Sequence, residues 1–250
     1  MESQRLRDCL GTDFHRLREV AAGADLGAAV PSCPGWTMAD LLRHVGEVYL
    51  EKVECMRLGR SPDPWPPEGL NDEPPLQLLD RSYSALTGEF AARQPEEPAY
   101  TWYGPDQSVG FWIRRMAQET VIHRVDAELG AGAAIAEIPG DLAADGIDEL
   151  LVAFVQYGTT NWPDYFTELL SSAGGHAVRI ATPQRSWLLR LGTRDVRVEQ
   201  PDSDSPAATV QGPAPDVLLW LWSRGGEGTT TTGDEQAIGL LRKVLVESTQ

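Results

Sequence analysis

Cysteine is scarce in this chain of 250 residues. Only Cys9, Cys33 and Cys55 occur, too widely spaced for a C-x-x-C zinc pair and too few for a disulfide framework. Basic residues are also outnumbered, with 21 Lys and Arg against 37 Asp and Glu, for a net charge of −16. A field of that sign repels phosphate backbones and anionic lipid surfaces, so nucleic acid and membrane surfaces are excluded as partners. No apolar run reaches the roughly 18 residues of a membrane span, and the opening MESQRLRDCL lacks the apolar centre of a signal peptide. These absences imply a cytoplasmic protein with reduced cysteines. Burial is the expected role of each, and Cys33, in the loop Ser32-Cys33-Pro34-Gly35, has the alternative of a reactive thiol near a helix start.

What the chain does have is enough apolar residue to fold. Hydrophobic residues make up 42% and charged residues 23%, the balance of a globular protein. The length allows one large domain or two ordinary ones. Leu6, Leu10, Phe14, Leu17 and Val20 recur at three- and four-residue steps and predict a helix over 4–22. After Pro31 and Pro34, Thr37 and Asp40 form a capping-box pattern that starts a second helix through Leu41, Leu42, Val45, Val48 and Tyr49. The stretch Gly59 to Pro75 carries six prolines, which predict an exposed loop. Helices follow at 76–92, 111–129 and 142–157, the first two separated by a second proline-punctuated loop.

Beyond Thr159 the texture changes. Ser171-Ser172-Ala173-Gly174-Gly175 marks a turn or linker, and short alternating segments at 177–181, 186–191, 196–199 and 207–210 read as strands. Two helices, 215–223 and 234–246, close the chain. The expected architecture is α+β in two domains: an up-down four-helix bundle within residues 1–165 and a small α+β domain over 175–250.

Glu119 and His123 lie four residues apart, so about 100° per residue puts them on one helical face with Trp112 and Met116. A carboxylate and an imidazole in an apolar stripe are costly without partners, and a divalent cation would satisfy both. His44, at the edge of its own helix's apolar face, can supply a third ligand from another helix. Two imidazoles and one carboxylate favour zinc with an open fourth position, and the same set also suits iron, nickel or cobalt. The competing reading is three hydrogen-bonded core residues. Asp126 is either a carboxylate that orients a ligand or a salt-bridge partner of Arg115 or Arg124. Trp102 and Tyr103 line a pocket or pack locally, and His15 and His176 read as surface or local hydrogen-bonding residues.

Two segments carry a resemblance. Val30-Pro31-Ser32-Cys33-Pro34-Gly35-Trp36-Thr37, running on through Asp40-Leu41-Leu42-Arg43-His44-Val45-Gly46, resembles a signature of the mycothiol-dependent maleylpyruvate isomerase family. Ala117-Gln118-Glu119-Thr120 with His123-Arg124 and Asp126-Ala127 resembles that family's second signature. The resemblance implies a DinB-like bundle with His44, Glu119 and His123 as metal ligands. Across Gly212-Pro213-Ala214-Pro215-Asp216 and Leu218-Leu219-Trp220-Leu221-Trp222-Ser223-Arg224 it implies a domain like a sterol carrier protein. It also implies mycothiol or a similar small thiol as cosubstrate, a small anionic substrate, and Arg224 as the group that assists that anion. The activity it implies is cis–trans isomerisation or thiol transfer. Metal-dependent hydrolysis and a non-catalytic metal-binding regulator are the alternatives.

Overall fold

The computed structural model describes residues 1–199, 201 and 205–249. The chain divides into two compact units, Met1–Glu137 and Ile138–Gln250. The expected helix at 142–157 therefore belongs with the strands, whereas the change in composition had suggested a division near 165–175.

The first unit holds four long helices: α1 (Ser3–Gly23), α2 (Met38–Leu58), α3 (Pro75–Ala92) and α4 (Val109–Gly130). The capping box at the start of α2 forms as expected, with Asp40 N donating to Thr37 Oγ1 at 3.3 Å and Thr37 N donating to Asp40 Oδ2 at 2.9 Å. The helix closes on Gly59, whose φ of 65° is the left-handed conformation that glycine adopts without steric cost.

Side-chain pairings fix the helix directions. Arg57 reaches Glu89, and a Cβ on Gly46 would lie 2.9 Å from Leu78 Cγ, so residue numbers rise together along α2 and α3, which run parallel. Asp13 meets Arg124 and Arg16 meets Glu128, so α1 and α4 are parallel too. By contrast Phe14 stacks on Tyr83 while Arg18 pairs with Asp80, and α2 meets α4 through His44–Glu119 and Lys52–Trp112; both contacts are antiparallel. The order is up, down, down, up, which corrects the expected up-down alternation. The proline-rich segment permits it. Residues 59–74 can span on the order of 50 Å when extended, more than the roughly 31 Å of a 21-residue helix, so α3 can start again at the end where α2 began.

Helix α4 is buried on nearly every side. Its charged residues are accordingly paired: Arg124, fully buried, donates to Asp13 Oδ1 at 3.0 Å and to Glu128 Oε2 at 2.7 Å, and Arg16 donates to Glu128 Oε1 at 2.9 Å.

In the second unit α5 (Gly140–Glu149) continues through a π-helical stretch, Leu150–Gln156, into α6 (Tyr157–Asn161), and the short α7 (Thr167–Leu170) follows. Strands β1 (Ala177–Ala181), β2 (Ser186–Leu191), β3 (Val196–Glu199) and β4 (Ala208–Gln211) fall where alternation predicted them. Then come α8 (Ala214–Leu221), β5 (Thr230–Gly233) and α9 (Glu235–Ser248). The sheet order is β3-β2-β1-β4-β5, with β1 and β4 parallel and the other pairs antiparallel. Strand β5 was not anticipated: its four residues are exposed, so no apolar alternation announced it, although its threonine run suits a strand. Edge strand β3 is closed by side chains, since Gln156 Oε1 accepts from Val198 N at 2.7 Å and Thr159 Oγ1 accepts from Val196 N at 3.0 Å. Among the described residues no helix is long and apolar enough to cross a membrane.

Candidate metal centre

Antiparallel packing of α2 on α4 sets His44 opposite the Glu119–His123 pair. His44 Nε2 lies 3.3 Å from Glu119 Oε1, and His123 Nε2 lies 3.1 Å from the same oxygen. The ligand atoms of these three residues all fall within 4.8 Å of one another. The two imidazoles meet edge to face, and Trp36, from the loop before α2, lies against both, its ring centre 4.8 Å from that of His44 and 6.4 Å from that of His123. His44 is 36% exposed at its side chain against 14% for Glu119 and 11% for His123, so the centre faces solvent on the His44 side.

Glu119 and His123 each have a partner behind them. Arg115, one turn before Glu119, donates to Glu119 Oε2 at 2.7 Å and leaves Oε1 for the histidines. Asp126 Oδ2 accepts from His123 Nδ1 at 2.9 Å, while Ser32 Oγ donates to Asp126 Oδ1 at 2.5 Å and Cys33 Sγ approaches Oδ2 at 3.5 Å. The structure thus gives Asp126 a histidine partner, while Arg115 pairs with Glu119 and Arg124 with Asp13 and Glu128. Cys33, His123 and Asp126 form a second group whose donor atoms lie within 4.8 Å of one another.

Charge in the centre is balanced by protons. Burial pushes the Glu119 carboxyl up, but attraction to His123, hydrogen bonds from both histidines and the charge of Arg115 outweigh it and hold the group well below the usual carboxylate range. Burial pushes His123 down, and the Glu119 charge with the Asp126 hydrogen bond outweighs it, raising the imidazole to about 9. In the metal-free protein His123 is therefore a cation at neutral pH, donating from both nitrogens. Two imidazole nitrogens and one carboxylate oxygen turned to one point are the donor set of an open zinc site, and the proton on His123 occupies a position where a divalent cation would be equally compensated. The residues fit a metal.

Among the other residues singled out in the sequence, Arg224 lies in the second unit just past α8. Its guanidinium donates to the Trp222 carbonyl at 2.6 Å and sits over the Trp222 ring. Trp102 and Tyr103 pack on Phe111, the local role foreseen as one of two. Cys9 and Cys55 are buried and Cys33 is half-buried, and none of the three is in a disulfide. His15 lies edge-on to Phe14. Trp36 and Ser32 entered the sequence reading only as members of the family signature, with no role given to either, and the Arg115–Glu119 pair was missed although positions i and i+4 share a helical face.

Residues 7–128 match the family model described as the mycothiol maleylpyruvate isomerase N-terminal domain, and residues 141–239 match that described as the MDMPI C-terminal domain. Among solved structures, that of a mycothiol-dependent maleylpyruvate isomerase matches with a TM-score of 0.61 at 16% identity, covering 94% of this chain and 95% of that one. A histidine-to-alanine mutant of a mycothiol-dependent maleylpyruvate isomerase matches with a TM-score of 0.62, at the same identity and coverage. At this identity the likeness to the two structures concerns the fold. No curated protein sequence matches the chain.

Proposed function

We propose an activity for this protein from one premise: the chain belongs to the mycothiol-dependent maleylpyruvate isomerase family, whose two domain models span most of it. It is a divalent-metal enzyme that uses a low-molecular-weight thiol of the mycothiol type on a small anionic substrate. The observation that carries the metal part of this reading is the convergence of His44 Nε2 and His123 Nε2 on Glu119 Oε1. His44, Glu119 and His123 hold the ion, zinc being the metal that two imidazoles and a carboxylate favour. An ion so held would supply a Lewis acid that lowers the pKa of a bound thiol.

The protein's own groups do the remaining work. Arg115 holds the distal oxygen of Glu119, so that the carboxylate presents one oxygen to the centre. Trp36 walls the site beside both imidazoles. Arg224 takes the role of binding the anionic group of the substrate through charge-assisted hydrogen bonds. The thiolate adds to an activated carbon–carbon double bond, the resulting single bond rotates, and elimination returns the thiolate with the double bond in the opposite geometry. A thiol transferase would replace the rotation with departure of a leaving group. A reducing cytoplasm suits both the thiol and three cysteines outside any disulfide.

The test is metal analysis and thiol binding on wild type, His44→Ala and Glu119→Ala, followed by turnover with and without thiol. The expected result is near-stoichiometric metal in wild type, its loss in both variants, thiol affinity that follows the metal, and turnover only with thiol. Turnover that ignores thiol would replace this reading with hydrolysis. Retained metal with neither thiol affinity nor turnover would leave a binding or regulatory protein.

A further inference from the structure

The side chain of Asp126 is fully buried, on the turn after His123. A carboxylate without water costs several kcal/mol unless its lone pairs are used, and both oxygens of Asp126 are in use. Oδ2 accepts from His123 Nδ1 at 2.9 Å and is approached by Cys33 Sγ at 3.5 Å, while Oδ1 accepts from Ser32 Oγ at 2.5 Å. An imidazole ring can turn over about its own axis, and its two nitrogens can exchange roles. An acceptor on Nδ1 removes both freedoms, because the turned ring would set a carbon against the carboxylate and the other tautomer would set two lone pairs together. The loop that supplies Ser32 and Cys33 also supplies Trp36, whose ring lies within 23° of parallel to the His123 ring. The same loop therefore fixes His123 from two sides.

We propose that Asp126 is the positioning residue of this centre: it holds His123 with Nε2 directed at Glu119 and His44, and Ser32 holds Asp126. The inference rests on the metal reading above. It makes the segment from Ser32 to Trp36 a structural part of the metal site, although none of its residues belongs to the His44–Glu119–His123 triad.

The test compares zinc affinity, by competition with a chromogenic chelator, in wild type, Asp126→Asn, Ser32→Ala, Ser32→Thr, Cys33→Ser and His44→Ala. Ring ¹⁵N shifts of His123 in the zinc-loaded protein and the melting temperature of the metal-free protein accompany it. Loss of the orienting carboxylate lowers affinity about 10- to 100-fold, and Ser32→Ala lowers it several-fold, as expected for one hydrogen bond. Ser32→Thr, which keeps the hydroxyl, restores wild-type affinity. The ¹⁵N shifts show protonated Nδ1 and ligated Nε2 in wild type and a mixture in Asp126→Asn. A purely structural role would lower the metal-free melting temperature and leave affinity and tautomer alone, which overturns the proposal. Wild-type affinity in both Asp126→Asn and Ser32→Ala, with zinc lost in His44→Ala, overturns it while the centre stands. Zinc binding that is absent from wild type, or unchanged in His44→Ala, removes the centre itself. If Cys33→Ser loses zinc while His44→Ala keeps it, the ion lies in the Cys33–His123–Asp126 group and Asp126 is a ligand, which also overturns it. Should Asp126→Asn fail to fold, the Ser32→Ala and Ser32→Thr pair decides.

Discussion

His44 and His123 come from different helices, yet their ring centres lie 4.9 Å apart with planes crossed at 77°, and both Nε2 atoms face one oxygen of Glu119. Crossed rings pack well edge to face, and here the crossing also turns both nitrogens toward one carboxylate oxygen, as ligation requires. Replacing His44 with alanine should lower zinc affinity by at least about 100-fold, since one of three ligands is lost. Its part-exposed ring should cost the fold no more than about 1 kcal/mol. Chelator competition and denaturant midpoints separate the two effects.

Arg115 sits 2.7 Å from Glu119 Oε2 with its side chain 4% exposed. Arg115→Gln leaves the carboxylate with less positive charge and should destabilise the metal-free protein by about 2 kcal/mol. Saturating zinc, whose charge takes over compensation of Glu119, should shrink that deficit. Urea midpoints with and without zinc check it; an equal loss in both states would count against the shared compensation.

The fold's own pH dependence is predicted from Asp13. Burial outweighs the attraction of Arg124 and raises this carboxyl from its ordinary value of 3.8 to about 6. Because the folded pKa lies above the unfolded one, the contribution is fully present below about 3.8 and is lost as pH rises through about 6. Asp13→Asn should remove it, gaining on the order of 3 kcal/mol over wild type between pH 4 and pH 7. Denaturant midpoints of the metal-free proteins across that range measure the difference, and parallel curves would refute it.

Gly46 marks the closest approach of α2 to α3, where an added Cβ would fall 2.9 Å from Leu78 Cγ and 3.5 Å from its carbonyl carbon. Gly46→Val should therefore destabilise the first unit by about 2–3 kcal/mol through overpacking, despite removing a mid-helix glycine. A thermal melt at or above the wild-type temperature would show that the helices can part at little cost.

In the second unit Ser223 follows α8 with φ of 59°, and Arg224 N donates to Leu219 O while Ser223 N donates to Trp220 O. This is the hydrogen-bond pattern of a Schellman end, with serine where glycine is usual. Ser223→Gly should stabilise by about 0.5–1 kcal/mol, the side-chain strain of the left-handed conformation less the added freedom of the unfolded chain. A fall in melting temperature would mean that the Ser223 hydroxyl, 3.4 Å from Arg242, contributes more than the strain costs.

Much of the fold and part of the candidate site could be read in the residues, because the signals involved are local. Helical spacing put Glu119 and His123 on one face, the Thr37–Asp40 box started α2, and alternation located β1 to β4. Strand β5, exposed throughout, had no such signal. Periodicity tells which face of a helix is apolar and nothing about its direction, and a proline-rich segment as long as 59–74 permits either. Tertiary packing alone set α2 and α3 parallel, brought His44 across to Glu119, and gave the π-containing helix after Gly140 to the sheet. It also decided that Asp126 serves His123, since Arg124, already within reach of Glu128 on its own helix, could be claimed by Asp13 only once α1 lay beside α4. The sequence by itself determined which donors exist and on which helical faces they stand. The tertiary structure decided which of them meet, because that depends on helix direction and on the return path of a loop, neither of which has a local energetic signature.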